Sequence, residues 1–169
     1  MTVARWSDLP SRLYSASALG LAGVSALFFG GLFLLVTVAG LVFVMHYELA
    51  KMQSPLFLDA PIYSSIAALI TILFLTYADL WILSLSILAV SLICQYFLMR
   101  TQKLLGALYS LIIILGGFYI IELRSHFGIL FVAWIVCLVI LTDTFGYFGG
   151  RLIGGPKFFI SISPNKTWA

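Results

Sequence analysis

Long apolar runs separated by short polar or glycine-containing breaks are the main pattern along this chain of 169 residues. Each run holds about 17 to 22 residues, and a helix needs about 20 apolar residues to cross a bilayer. Strands of a membrane β-barrel would instead alternate apolar and polar residues over about 10 positions. The pattern therefore predicts an all-α polytopic membrane protein with about six transmembrane helices, at 13–30, 32–50, 62–78, 80–99, 104–121 and 127–148.

Glycines, prolines and charged residues mark the predicted breaks between these spans. The Gly30-Gly31 pair allows a tight hairpin between the first two spans, and Pro55 and Pro61 favour a loop before the third. Further breaks are predicted near Asp79, at 100–103 and at the polar stretch 122–126. No break is long enough to hold a soluble domain, so residues 1–169 are predicted to form a single transmembrane domain.

Composition favours a bilayer over water as the solvent for this chain. Hydrophobic residues make up 63% of it and charged residues 9%, whereas soluble domains carry about 25% charged residues. The first span follows two arginines, as in a signal peptide, but no small-residue cleavage site precedes a soluble region, so a retained helix is expected. Cys94 and Cys137 lie in apolar runs without CxxC spacing, which predicts buried structural thiols rather than redox or metal chemistry.

Basic residues are unevenly divided between the two membrane faces that alternating spans would create. Eight of the nine fall on the face shared by the N-terminus and the polar tail, and Arg124 alone falls on the other. Because cytoplasmic loops carry the excess of Lys and Arg, the N-terminus and the tail are predicted to be cytoplasmic. This bias accounts for the net charge of +3, with anionic lipid headgroups as counter-charges and no nucleic-acid partner.

Two carboxylates, Glu48 and Asp143, lie within or at the edge of predicted spans. A carboxylate there is costly and needs a partner, a cavity or a function. Glu48 stands three residues before Lys51, so either an i,i+3 ion pair or a site role would account for it. Asp143 precedes Tyr147 and Arg151 by four and eight residues, so a continued helix would place them on one stripe. That stripe would serve either as an Asp-Arg network between helices or as part of a binding site.

A glycine-rich segment with basic residues follows this stripe. Gly154 and Gly155 lie between Arg151 and Lys157. Glycines let backbone amides approach an anion closely, while Arg and Lys supply positive charge, so the arrangement suits a di- or triphosphate. Basic glycine turns also arise from membrane topology alone, and neither a P-loop nor a GxGxxG motif is present.

The residues from Asp143 to Ala169 resemble one known family. The segments Asp143-x-x-x-Tyr147-x-x-Gly150-Arg151, Gly154-Gly155-Pro156-Lys157 and Ile162-Ser163-Pro164-x-Lys166-Thr167-Trp168-Ala169 look like a stretch typical of bacterial phosphatidate cytidylyltransferases, also called CDP-diglyceride synthases. The rest of the chain resembles that family in its pattern of spans, with weaker features at Glu48 and Leu123-Arg124.

The resemblance implies an enzyme of the bacterial inner membrane with its site facing the cytoplasm. Such an enzyme joins CTP and phosphatidic acid to give CDP-diacylglycerol and pyrophosphate in phospholipid biosynthesis, with magnesium (Mg2+) as cofactor. The resemblance also implies contact with membrane lipids and a homodimer. Within this chain it implies catalytic roles for Asp143 and Lys166, magnesium binding by Asp143, and a cytoplasmic substrate-binding segment at 149–169. The expected substrate-binding residues are Tyr147, Arg151, Lys157, Ser163 and Thr167.

The chain departs from the resemblance in its acidic residues. Family members continue to a signature of the form S-x-x-K-R-x-x-x-K-D, then P-G-H-G-G and D-R-x-D, and nothing like it occurs here. Asn165 also stands where many members carry a second Lys. A two-metal site uses more carboxylates than Asp143 and Glu48 provide. The sequence is therefore expected to be an amino-terminal portion that is inactive alone.

Two other functional classes fit parts of the sequence. A non-catalytic membrane scaffold or pseudoenzyme would have the same spans and retain nucleotide affinity. A small transporter subunit would use Glu48, Glu122, His126 and Asp143 to line a polar path between helices. The spans show no clear inverted repeat, and a transport path has no need of a Ser-Pro-x-Lys-Thr-Trp segment.

Overall fold

The computed structural model describes residues 9–53, 55–77 and 81–152, and the regular elements within them are all α-helices. Four are long and apolar enough to cross a membrane, the last of them over Lys103–Gly146, and the shorter apolar helix Ser17–Phe29 precedes them. The prediction of an all-α polytopic membrane protein is confirmed. The helices are α1 (Leu9–Phe29), α2 (Gly31–Met52), α3 (Ala60–Tyr77), α4 (Trp81–Leu98) and α5 (Lys103–Leu152).

Helices α1 and α2 meet at the glycine pair, where the sequence predicted a break. Gly30 has φ 62° and Gly31 has φ 48°, which is the left-handed region that side chains with a Cβ rarely adopt. A single residue, Gly30, separates the two helices, and we call this point the α1–α2 junction. The tight hairpin itself stays a prediction. The predicted break near Asp79 lies outside the described residues.

Helix α5 contains a break, but at a different position from the predicted one. A polar connection was expected at 122–126, yet the backbone stays helical there and leaves the helical region at Gly128, with φ 81° and ψ 178°. Within this helical stretch Glu122 and His126 pair across one turn, with Oε2 and Nε2 3.0 Å apart, which adds a small local stabilisation. The backbone angles of Gly128 are open essentially to glycine alone. The chain divides near this break into two units, Met1–Ile129 and Leu130–Ala169.

Close helix packing in the first unit centres on Gly117 of α5. A Cβ at this position would lie 2.8 Å from Cγ2 of Val42 and 2.9 Å from Cδ1 of Ile72. Helices α2 and α3 therefore approach the backbone of α5 directly, as small residues permit at helix interfaces in membranes. Ile72 and Ile114 are fully buried in this apolar layer.

A cluster of buried amides connects the helix ends near the α2–α3 loop. Gln95 on α4 donates from Nε2 to Oε1 of Gln53, 2.7 Å away, and accepts a hydrogen bond from the hydroxyl of Ser64 on α3. Gln53 in turn donates to the backbone carbonyl of Gln102, 3.2 Å away. A Cβ on Gly106 would overlap the Gln53 amide, so glycine is needed beside it. We call Gln53, Ser64 and Gln95 the amide cluster.

A buried histidine joins α2 to α5 near the same end. His46 is fully buried, and its Nδ1 lies 3.1 Å from the carbonyl of Val42, which can only accept. Nδ1 therefore carries the proton, and Nε2 accepts a hydrogen bond from the hydroxyl of Ser110, 2.6 Å away. Every polar atom of the imidazole is satisfied without water, as an interior between transmembrane helices requires.

The cysteines are only partly where the sequence predicted them. Both are free thiols, and Cys94 is half-buried, but Cys137 is exposed. The prediction of burial is wrong for Cys137 because an apolar run in a membrane helix includes a lipid-facing side as well as a packed side.

We predict that Gly117→Ala lowers the thermal stability of the protein while Gly116→Ala does not. The new methyl at position 117 would press on Val42 and Ile72, and such overpacking costs about 1–3 kcal/mol. A methyl at position 116 would meet no atom within 4 Å. Circular dichroism melts in detergent micelles would measure both. A Gly117→Ala protein that melts at or above the wild-type temperature would contradict the packing described.

Candidate functional site

Three of the predicted site residues lie on the part of α5 that follows Gly128. The backbone stays helical to Leu152, so positions 143, 147 and 151 fall at i, i+4 and i+8 on one face. The helix needed for the predicted stripe is therefore present. The side chains of Tyr147 and Arg151 lie outside the described part of the structure, as do all atoms of Lys157, Ser163, Lys166 and Thr167. The roles assigned to these residues remain predictions.

Asp143 presents a carboxylate without a partner among the described residues. Its side chain is exposed and makes no hydrogen bond or ion pair within that part of the chain. The neighbouring Thr142 instead turns its hydroxyl back to the carbonyls of Leu138 and Val139, at 3.0 and 2.9 Å. A carboxylate placed on an apolar helix is costly unless something binds it. Asp143 is therefore available to a cation, a basic side chain or a substrate-bound metal.

The described residues do not build a complete metal site. Among them, no group of three or more His, Cys, Asp or Glu side chains lies close enough to hold an ion. Asp143 is the single carboxylate on the predicted stripe. Magnesium commonly takes one or two carboxylates and completes its shell with water and substrate phosphates. Asp143 has the right chemistry for one such ligand.

Glu48 does not form the ion pair that its spacing suggested. Lys51 instead places its ammonium 4.4 Å from the ring centroid of Tyr47, one turn back along α2. Among the described residues the acidic side chain that contacts a basic one is Glu122, whose Oε2 is hydrogen-bonded to Nε2 of His126. Side chains on a helix lean towards its N-terminus, which directs Lys51 onto the i−4 ring. The Glu48 carboxylate is exposed at the end of α2.

The residues considered for a transport path are not brought together in the first unit. Glu48 lies near the C-terminal end of α2, whereas Glu122 lies beside the α1–α2 junction at the other end of that helix. Between these ends Val38, Val42 and Ile72 lie close to the backbone of α5. The buried polar groups His46 and Ser110 bond to each other.

Arg124 is a residue whose environment the sequence did not reveal. It lines a cavity of about 350 Å³ together with residues at the α1–α2 junction and the end of α3. Its Nε donates to the carbonyl of Leu27, 2.9 Å away, in the last turn of α1. We call this space the Arg124 cavity. The available sequence signal was that Arg124 is the one basic residue predicted on its face of the membrane.

Comparison with known proteins points to one family. The model of the cytidylyltransferase family matches residues 10–169. The phosphatidate cytidylyltransferase of Staphylococcus saprophyticus is 32% identical over 150 residues, which cover 82% of this chain and 56% of the relative. That of Staphylococcus epidermidis is 31% identical over 148 residues, with the same coverage. That of Brucella abortus is 44% identical over 43 residues, covering 25% of this chain and 16% of the relative.

The chain spans little more than half the length of the Staphylococcus relatives. No solved structure matches the chain.

We predict that Asp143→Asn leaves the fold unchanged while Gln95→Leu destabilises it. Asp143 has no bond to lose among the described residues, so its free energy of unfolding should change by less than about 0.5 kcal/mol. Gln95→Leu would leave the buried Gln53 and Ser64 without partners, which costs about 1–3 kcal/mol. Thermal melts in detergent would compare them. A large loss of stability for Asp143→Asn would indicate a structural ion pair instead.

Proposed function

We propose that this chain, which belongs to the cytidylyltransferase family, binds CTP and phosphatidic acid through its carboxyl-terminal segment. The reaction would transfer CMP to phosphatidic acid and give CDP-diacylglycerol and pyrophosphate. The observation that carries this proposal is the family match over residues 10–169, which includes every predicted site residue. The helical face bearing the unpartnered Asp143 carboxylate supports it, because that face leads into the basic glycine-rich segment.

The reaction requires the phosphate of phosphatidic acid to approach the α-phosphorus of CTP in line with the departing pyrophosphate. A phosphate oxygen of phosphatidic acid would form a bond to the α-phosphorus of CTP. The bond from that phosphorus to the β-phosphate oxygen would break, and its electron pair would leave with pyrophosphate. Catalysis of such a step comes mainly from positioning and from charge stabilisation. The protein must therefore supply cations near the phosphates.

Basic residues of the tail fit that requirement. The guanidinium of Arg151 would grip two phosphate oxygens at once, while Lys157 and Lys166 would act as point charges. Ser163 and Thr167 would donate hydroxyl hydrogen bonds to phosphate oxygens. We assign Tyr147 to substrate binding because it shares the helical face of Asp143 and Arg151.

Asp143 is proposed as the carboxylate of this chain that holds magnesium together with substrate phosphates. When bound, the ion would neutralise charge on the departing pyrophosphate. Asp143 itself would fix the position of the triphosphate relative to the helix. Two-metal chemistry uses further carboxylates, so we propose that Asp143 supplies one of several ligands of the bound ion.

The charge distribution supports a location in the bacterial inner membrane. The ends of α2, α4 and α5 near the amide cluster carry Lys51, Arg100 and Lys103, and such an excess of basic residues favours the cytoplasmic face. CTP is supplied from that side, and phosphatidic acid from the leaflet. Pairing of two copies of the chain is part of the proposal and follows from the resemblance alone.

We predict that Arg151→Gln and Lys157→Gln each weaken CTP binding about tenfold, since each removes a charge-assisted hydrogen bond. Lys103→Gln is the matched control, because Lys103 is a basic residue whose ammonium lies 5.6 Å from the ring centroid of Tyr96. Equilibrium binding of radiolabelled CTP to the purified protein with magnesium would measure the dissociation constants. Equal weakening of CTP binding by all three variants would indicate attraction by net charge and would contradict the assignment of Arg151 and Lys157 to CTP binding.

We predict that Lys166→Ala and Asp143→Asn each lower turnover by about 100-fold or more, the usual loss when a charge-stabilising group is removed. The assay would use this chain joined to the carboxyl-terminal part of the Staphylococcus saprophyticus relative, in membranes with labelled CTP, phosphatidic acid and magnesium. Lipid-linked label is the readout. Near-normal turnover in both variants would remove these residues from the site. CTP binding without turnover in the joined protein would favour a pseudoenzyme.

A further inference from the structure

The Arg124 cavity lies at the end of the first unit opposite the amide cluster. Helix α2 contains 22 residues, so its ends are about 33 Å apart, close to the roughly 30 Å thickness of a bilayer core. Gly30 and Gly31 at one end line the cavity, whereas Lys51 stands at the other. The cavity therefore belongs to the membrane face away from the main group of basic residues.

The guanidinium of Arg124 has unused donors. Arg carries five N–H groups, and the one on Nε is taken by the carbonyl of Leu27. The remaining four have no acceptor among the described residues. Nη2 would lie 3.4 Å from a Cβ placed on Gly30, a residue that lines the cavity. The free donors are thus next to the empty space.

Arg124 also forms no ion pair with a carboxylate in the described part of the chain. Glu122 lines the same cavity, but its Oε2 bonds to Nε2 of His126 at 3.0 Å and forms no ion pair with Arg124. The hydroxyls of Thr76 and Ser125 donate to the carbonyls of Ile72 and Ile121 and form no hydrogen bond with Arg124. A guanidinium binds most strongly to an anion that also accepts its hydrogen bonds. An anion from outside the chain would satisfy it.

The surroundings of the cavity favour a lipid as the source of that anion. Tyr77, Trp81 and Tyr119 are exposed by 65%, 68% and 57% at this end. Exposed Trp and Tyr mark the level of lipid headgroups in membrane proteins. A volume of about 350 Å³ is within the range of small-molecule pockets. Arg binds phosphate oxygens bidentately, which matches the unused Nη donors.

We propose that the Arg124 cavity binds the phosphate group of a phospholipid at the membrane face opposite Lys51, Arg100 and Lys103. The guanidinium supplies the charge and the paired donors. The left-handed turn at Gly30 leaves room for the headgroup beside them. Binding there would also hold the end of α1 against α5, since the same guanidinium bonds to the last turn of α1.

Native mass spectrometry of the full chain in detergent, titrated with dioleoylphosphatidylglycerol, tests this proposal. Arg124→Gln should raise the half-saturating lipid concentration about tenfold or more, because a bidentate charged contact is lost. Arg100→Gln is the matched control, since Arg100 also bonds to one backbone carbonyl, that of Leu56 at 3.3 Å. Arg100→Gln should change the half-saturating lipid concentration of the Arg124 cavity by less than about twofold. Equal weakening by both variants would overturn the proposal.

Two further ligands distinguish the chemistry that is recognised. Dioleoylglycerol, which lacks the phosphate, should bind no better to wild type than to Arg124→Gln. Inorganic phosphate at the same concentrations should not displace the phospholipid, because it lacks acyl chains. Arg124-dependent retention of dioleoylglycerol, or displacement by equimolar phosphate, would each contradict a phospholipid headgroup site.

A second variant keeps the test valid if Arg124→Gln fails to fold. Thr76→Phe would fill the cavity while leaving Arg124 and its bond to Leu27 in place. It should weaken phospholipid binding to the same degree as Arg124→Gln. Unchanged binding by a folded Thr76→Phe protein would overturn the proposal, whereas loss of one tightly bound phospholipid would support it.

Discussion

Hydrogen bonding between polar side chains of different helices is the interaction on which the first unit depends. A bilayer core offers no water to satisfy a buried amide or imidazole, so each such group must find a protein partner. The amide cluster links the end of α2 to α3, α4 and the start of α5, and the bond from Ser110 to His46 links α2 to α5 again. Lipid and protein interiors are equally apolar, so these bonds select the helix partners in a way that apolar packing alone does not.

Two charged residues stand out because they do not follow this rule. The guanidinium of Arg124 keeps unused donors beside a cavity, and the carboxylate of Asp143 has no partner among the described residues. The same physical argument applies to both. A charge that the protein leaves unsatisfied at a membrane edge is a place where a ligand of opposite charge is stabilised. For Asp143 the ligand would be a substrate-bound cation, and for Arg124 a lipid phosphate.

Much of the fold was predictable because the length of an apolar run and the position of glycine are local properties. The break at Gly30-Gly31 followed from the freedom of glycine to adopt a positive φ. The break in α5 was misplaced because 122–126 is polar, and the sequence does not show that Glu122 and His126 satisfy each other on the helix. The Glu48–Lys51 pair, one of two alternatives for Glu48, does not form, and Lys51 contacts the ring of Tyr47.

The candidate site was also predictable only in part. Asp143, Tyr147 and Arg151 could be placed on one stripe from helical spacing, and the helix to Leu152 provides it. The amide cluster and the Arg124 cavity were not predictable, since each joins residues more than 30 positions apart whose meeting depends on tertiary packing. Single Gln, His and Arg residues in apolar runs indicate that a hydrogen-bond partner is needed, but they do not identify that partner.

The central claim is that the segment from Asp143 to Thr167 binds the triphosphate of CTP. Photolabelling of the protein in membranes with a photoreactive CTP analogue, followed by peptide mapping, tests it most directly. The account predicts label in peptides from that segment, dependent on magnesium and removed by an excess of unlabelled CTP. Label confined to peptides from residues 9–129, or label that unlabelled CTP does not compete away, would contradict it.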